Sequence, residues 1–293
     1  MSWRQRRKSS NVEDRRGSGR FKRRGGGGGL GGSLLGFGGI GCLIVFILLN
    51  FLGGGGGLIG SLDENSSQDQ SIQSPENYQY ETATEDELFD YVSVILADTE
   101  DIWDEIFQEY GYEYNYPSLV VYSGMVQSAC GVSGAQTGPF YCPVDEKLYI
   151  DLSFYDELRY KFDAPGDFAM AYVVAHEVGH HVQTLLGLTE DFHKARSQMS
   201  ETEANALSVN FELQADYLAG VWAGRAEGRG YLEEGDYEEA IRAAAAVGDD
   251  RIQQRAQGYI VPESFTHGTS KKRQYWFERG FQSKNLENGD TFN

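Results

Sequence analysis

Two histidines four residues apart, His176 and His180 in His-Glu-Val-Gly-His, close the apolar run 169–175. In a helix, positions i and i+4 lie one turn apart on one face, so both imidazoles can reach one metal ion. Glu177 then stands beside the ion rather than on it, where a general base for a metal-bound water belongs. A catalytic zinc takes three protein ligands and leaves a fourth position open. Glu212 can supply the third from a second helix, and Asp216 lies one turn further on the same face. From there Asp216 can accept the N–H of a ligating imidazole and fix its tautomer. Glu201 and Glu203 are rival third ligands, but neither is followed by an acid one turn later. The longer pattern HExxHxxGxxH is excluded, because Gln183 and Leu186 stand where it needs a glycine and a histidine. The expected cofactor is one zinc ion per chain.

HExxH followed by Glu212-Leu-Gln-Ala-Asp216 resembles the gluzincin metallopeptidases, thermolysin-like and related membrane-bound enzymes. The wider context at 175–183, 264–270 and 11–17 is similar to the bacterial "putative neutral zinc metallopeptidase" family. That resemblance covers nearly the whole chain and implies zinc peptidase chemistry without specifying a substrate. It also implies a late histidine that stabilises the oxyanion. His267, on the turn Thr266-His-Gly268, is the candidate, with Arg273 six residues on. A further implication is an edge strand ahead of the active-site helix that binds substrate backbone; 147–152 is the candidate, although a plain sheet strand fits the residues as well. His181 points about 100° away from the ligand face and reads as a packing or supporting residue. His193 reads as a solvated residue between helices.

These side chains need a scaffold. Thr84 and Glu87 fit a capping box, followed by Leu88, Tyr91, Val92, Ile95, Ile102, Trp103, Ile106 and Phe107 at helical spacing until Gly111. Residues 118–122 and 147–152 read as strands. Pro165-Gly-Asp167 opens the helix that carries the histidines, and 201–226 forms the helix that carries Glu212. Asp236 and Glu239 look like a capping pair for an alanine-rich helix, and a last helix follows Ser270. The expected fold is α+β: a gluzincin-like domain, mostly helical with a small sheet, over 84–293.

Charge and hydropathy organise the remainder. The total charge is −19, yet residues 1–24 hold ten Lys or Arg against Glu13 and Asp14. Residues 1–29 read as a disordered basic tail, 30–60 as a transmembrane segment with its most apolar part at 34–52, and 61–83 as a polar linker. Roughly 20 apolar residues span a bilayer. A cleaved signal peptide is the competing reading, but no Ala-x-Ala-like site follows the apolar core. The positive-inside rule puts the tail in the cytoplasm and the catalytic domain outside, anchored in the cytoplasmic membrane by a single pass. The basic tail then suits anionic headgroups, and no nucleic-acid partner is expected.

Cys42 falls in the apolar segment. Cys130 and Cys142 flank a glycine-rich stretch, and in an oxidising compartment they would form a disulfide; two thiols without nearby histidines make a poor metal site. The function expected is zinc-dependent hydrolysis of peptides or proteins outside the cytoplasmic membrane. The alternatives are an inactive zinc-stabilised binding module and an amidase acting on cell-wall peptides.

Overall fold

The structure is a computed structural model that describes residues 2–17 and 83–292. Helix α1 (Glu85–Glu109) begins as its capping box requires: Thr84 accepts from the Glu87 backbone N–H, and Glu87 accepts from the Thr84 N–H. Its apolar stripe lies in the main core. A four-stranded sheet follows in the order β1-β2-β6-β5, formed by Val12–Arg15, Ser118–Tyr122, Lys147–Asp151 and Phe140–Cys142. The first three strands are parallel, and β5 runs antiparallel to β6.

The two-residue period of a strand explains what each face meets. Leu119, Val121, Tyr141, Leu148 and Ile150 face the helices. Val120, Tyr122, Phe140, Cys142 and Tyr149 face the other way, where Val126 joins them. Val126 belongs to a separate hairpin of β3 (Met125–Ser128) and β4 (Gly131–Gly134). The Cys130–Cys142 disulfide, with a Cα–Cα distance of 5.8 Å, ties this hairpin to β5.

Helix α2 (Asp167–Leu185) carries the histidines and is buried from Phe168 to Gln183, enclosed by the sheet and by other helices. Its start is held from elsewhere. Gly166 has φ 122°, and a Cβ there would meet the Glu239 carboxylate at 2.0 Å. Glu239 accepts from the Phe168 N–H at 3.0 Å, so it caps α2 and not the alanine-rich helix that bears it, whose N-cap is Gly235. Asp236 is not the N-cap either, and no side chain caps this helix start, so the capping pair expected from the sequence is corrected at both residues.

After the short α3 (Leu188–Arg196), α4 (Glu201–Gly228) opens on a Ser200/Glu203 capping box. Helices α5 (Asp236–Ala246), α6 (Asp249–Gln257) and α7 (Ser270–Ser283) complete the body. The α4–α7 crossing is very close. A Cβ on Gly280 would lie 1.9 Å from the Tyr217 carbonyl oxygen, and one on Gly220 would lie 2.0 Å from that of Phe277.

Two expectations need correction. The strand at 147–152 is internal, flanked by β2 and β5, because Phe140–Cys142 folds back against it; among the described residues β5 is the sheet edge. Nor do residues 1–29 form a tail throughout. Val12–Arg15 is, among the described residues, the opposite edge of the sheet, in parallel register with Leu119–Tyr122. Trp3 packs edge-on against Tyr91 at 5.4 Å, and the Arg6 guanidinium lies 4.5 Å over the Tyr231 ring. The proposed membrane segment at 34–52 and most of the linker at 61–83 lie outside the described residues. Among the described residues, no helix is long and apolar enough to cross a membrane.

Candidate active site

The close approach of α2 and α4 brings the chemistry together. Gly179, inside the His-Glu-Val-Gly-His stretch, lets the helices touch: a Cβ there would sit 3.0 Å from the Ala215 carbonyl oxygen. Glu212, one turn earlier on α4, then faces both histidines. Its Oε2 lies 3.1 Å from His176 Nε2 and 3.5 Å from His180 Nε2. The three donor atoms lie within 4.8 Å of one another, all on buried residues, and form a group that can hold a metal ion.

The far side of each ring is also fixed. His176 Nδ1 lies 3.0 Å from Asp216 Oδ1, and His180 Nδ1 lies 2.8 Å from Gln183 Oε1. The Gln183 amide in turn donates to the Phe211 carbonyl at 2.8 Å and to Gln214 at 3.0 Å. With Nδ1 so occupied, both Nε2 atoms are left to point at Glu212. His180 Nε2 is buried with no hydrogen-bond partner, as is Glu177 Oε2. Buried polar atoms are normally satisfied, and an unpartnered imidazole nitrogen beside a carboxylate fits a metal ligand.

Electrostatics support the same reading. Burial opposes charge on His176, yet Asp216 and Glu212 push its pKa up to about 9, so the pocket favours a cation. Burial would also raise Glu212, but the adjacent His180 and His176 hold it well below the usual carboxylate range. Burial raises Glu177, and the charges of His180 and His176 offset this only in part. Asp216 is kept ionised against burial chiefly by Arg273, whose guanidinium donates to both of its oxygens at 2.8 and 2.9 Å. Tyr172 donates to the same carboxylate at 2.5 Å.

His267 lines the same pocket as His176, Glu177 and Glu212, with Tyr172, Val173 and Arg273. One carboxylate builds its turn. Asp249 Oδ2 accepts the backbone N–H groups of Thr266, His267 and Gly268 at 2.7–2.9 Å, and Oδ1 lies 3.2 Å from His267 Nδ1. Burial disfavours the imidazolium, but Asp249 raises the pKa of His267.

The residues expected from the sequence therefore come together: His176, His180 and Glu212 as one ligand group, Asp216 behind His176, and Glu177 and His267 lining the same pocket as His176 and Glu212. Glu203 serves its own helix cap and Glu201 is exposed, so neither joins them. His193 is exposed, on α3. Sequence reasoning missed Gln183 and Asp249. Gln183 was legible, since i+3 from His180 shares its face; Asp249 has no local signal, because only the fold brings it under residues 266–268.

A chain with this fold and donor set belongs to the family described as "Putative neutral zinc metallopeptidase", whose match runs over residues 1–292. Among its relatives is "Uncharacterized protein YpfJ" of Escherichia coli (strain K12), 47% identical over 297 residues, covering 100% of this chain and 99% of the relative. "Uncharacterized protein Rv2575" of Mycobacterium tuberculosis (strain ATCC 25618 / H37Rv) is 45% identical over 190 residues, 61% of this chain and 63% of that protein. No solved structure matches the chain.

Proposed function

We propose that the protein is a zinc-dependent peptidase whose ion is held by His176, His180 and Glu212. The observation that carries this reading is the convergence of two imidazole nitrogens and one carboxylate in a buried pocket, with unpartnered Glu177 beside them. Bound there, zinc supplies Lewis acidity toward water and toward a scissile carbonyl. Glu177, its pKa raised by burial, takes the proton of the attacking water and delivers it to the leaving amine. His267, kept in place and protonated more readily by Asp249, donates to the developing oxyanion.

The substrate backbone is placed by β5. Its outer edge has no strand partner among the described residues, and Pro139, next to it in the chain, lines the pocket. An extended peptide can pair with that edge as an added strand. The Cys130–Cys142 bridge supports action in an oxidising compartment, outside the cytoplasm.

The test is hydrolysis of an unfolded protein by the purified full-length chain, with Glu177→Gln in parallel. Gln keeps the size of the side chain but cannot take the proton. Activity should fall by about 10²–10⁴, the usual effect of losing a general base. Undiminished hydrolysis by Glu177→Gln would overturn the mechanism.

A further inference from the structure

The ten cations of residues 1–24 read from sequence as a lipid-facing tail, but those in the described part have another partner. Arg4, Arg6, Arg7, Lys8 and Arg16 each meet a carboxylate of α1: Glu87, Asp98, Glu100 with Asp101, Asp90 and Asp86 respectively. Two of these carboxylates are buried, Asp98 at 3% exposure and Glu100 at 1%. Ser9 Oγ and Asn11 Nδ2 both donate to Glu100, and the Ser9 N–H donates to the Ser93 carbonyl. Glu13 on β1 also meets Lys147 on β6.

Buried carboxylates need cations and donors nearby. The acidic face of α1 is therefore half of an interface, and the basic arm is the other half. We infer that the N-terminal arm is a permanent part of the domain, docked on α1 and β2, and lies on the same side of any membrane as the catalytic site. That replaces the single-pass topology with a cytoplasmic tail, which would separate β1 from β2 by a bilayer. It also requires the arm to persist in the mature protein, since cleavage after the apolar segment would remove β1. The 65 residues from 18 to 82 are ample chain for the arm to reach its own domain. The inference holds whether or not the site hydrolyses peptides.

In a full-length chain carrying Cys42→Ser, cysteines placed one at a time at Ser10 on the arm and at Tyr275 on α7, both exposed, test it in spheroplasts. A membrane-impermeant maleimide should reach both positions in intact spheroplasts, or both only after permeabilisation. Labelling of one position in intact spheroplasts and of the other only after permeabilisation would overturn the inference. Because a separated arm could leave the domain misfolded, Lys8→Cys with Asp90→Cys adds a second reading. A short bismaleimide should link these two positions within one chain. Links only between chains, or none when both cysteines are reactive, would refute docking of the chain's own arm.

Discussion

His267 and Asp249 divide one task. The carboxylate collects three backbone N–H groups and faces the ring, so the turn and the imidazole are set by the same side chain. His267→Ala should lower kcat by about 10²–10³ with little change in KM, because the ring would act only on developing charge. Asp249→Asn keeps the shape but weakens the hold on the imidazolium; kcat should fall about 10–100-fold and the alkaline limb of the pH profile should shift to lower pH. That direction follows because Asp249 raises His267, so its loss lets the ring deprotonate earlier. An unchanged profile in Asp249→Asn, measured by steady-state kinetics against pH, would contradict this pairing. At this scale the sequence was most legible where spacing within one helix does the work, as for His176, Glu177 and His180. It was least legible for Asp249, which acts through a fold contact 17 to 19 residues away.

Helix α1 shows what an element demands of its partners. Burial pushes Asp98 up to about 7 in spite of Arg6 alongside. The unfolded chain holds the same carboxyl near its ordinary value of about 3.9, so the folded state binds the extra proton between those pH values. Stability from this group is fully present below about pH 4 and is lost as pH rises toward 7, by up to about 1.4 kcal/mol per unit. Asp98→Asn should therefore gain on the wild type as pH rises from 5 to 7 in denaturant unfolding; a constant difference would contradict the account.

The α4–α7 crossing makes the converse demand, for absence of a side chain. Gly280→Ala would drive a methyl into the Tyr217 carbonyl and should cost about 1–3 kcal/mol or more, read as a lowered Tm. Gly228→Ala, at the open end of α4 with nothing within 4 Å, should be neutral or stabilising by up to about 1 kcal/mol. Equal effects at both sites would contradict the packing argument. Helix starts at Thr84 and Ser200 follow from local capping chemistry, so the first was readable in advance. The β5 edge was not, because three residues carry no period of their own.

At the scale of the whole molecule, the arm, the sheet and the paired helices form one support for the pocket. The sheet sits over α2, Gly179 sets the α2–α4 distance, and the glycines of α4 and α7 seat Arg273 against Asp216. The reading of residues 1–29 as a disordered tail failed over 2–17 because clustered cations look alike in a free tail and in an arm paired with an acidic helix. Metal content of the purified full-length chain tests the central claim most directly. Wild type and Glu177→Gln should each retain one zinc per chain after dialysis, and Glu212→Gln should retain none. A wild-type chain that binds no zinc, or a Glu212→Gln chain that keeps its full complement, would contradict it.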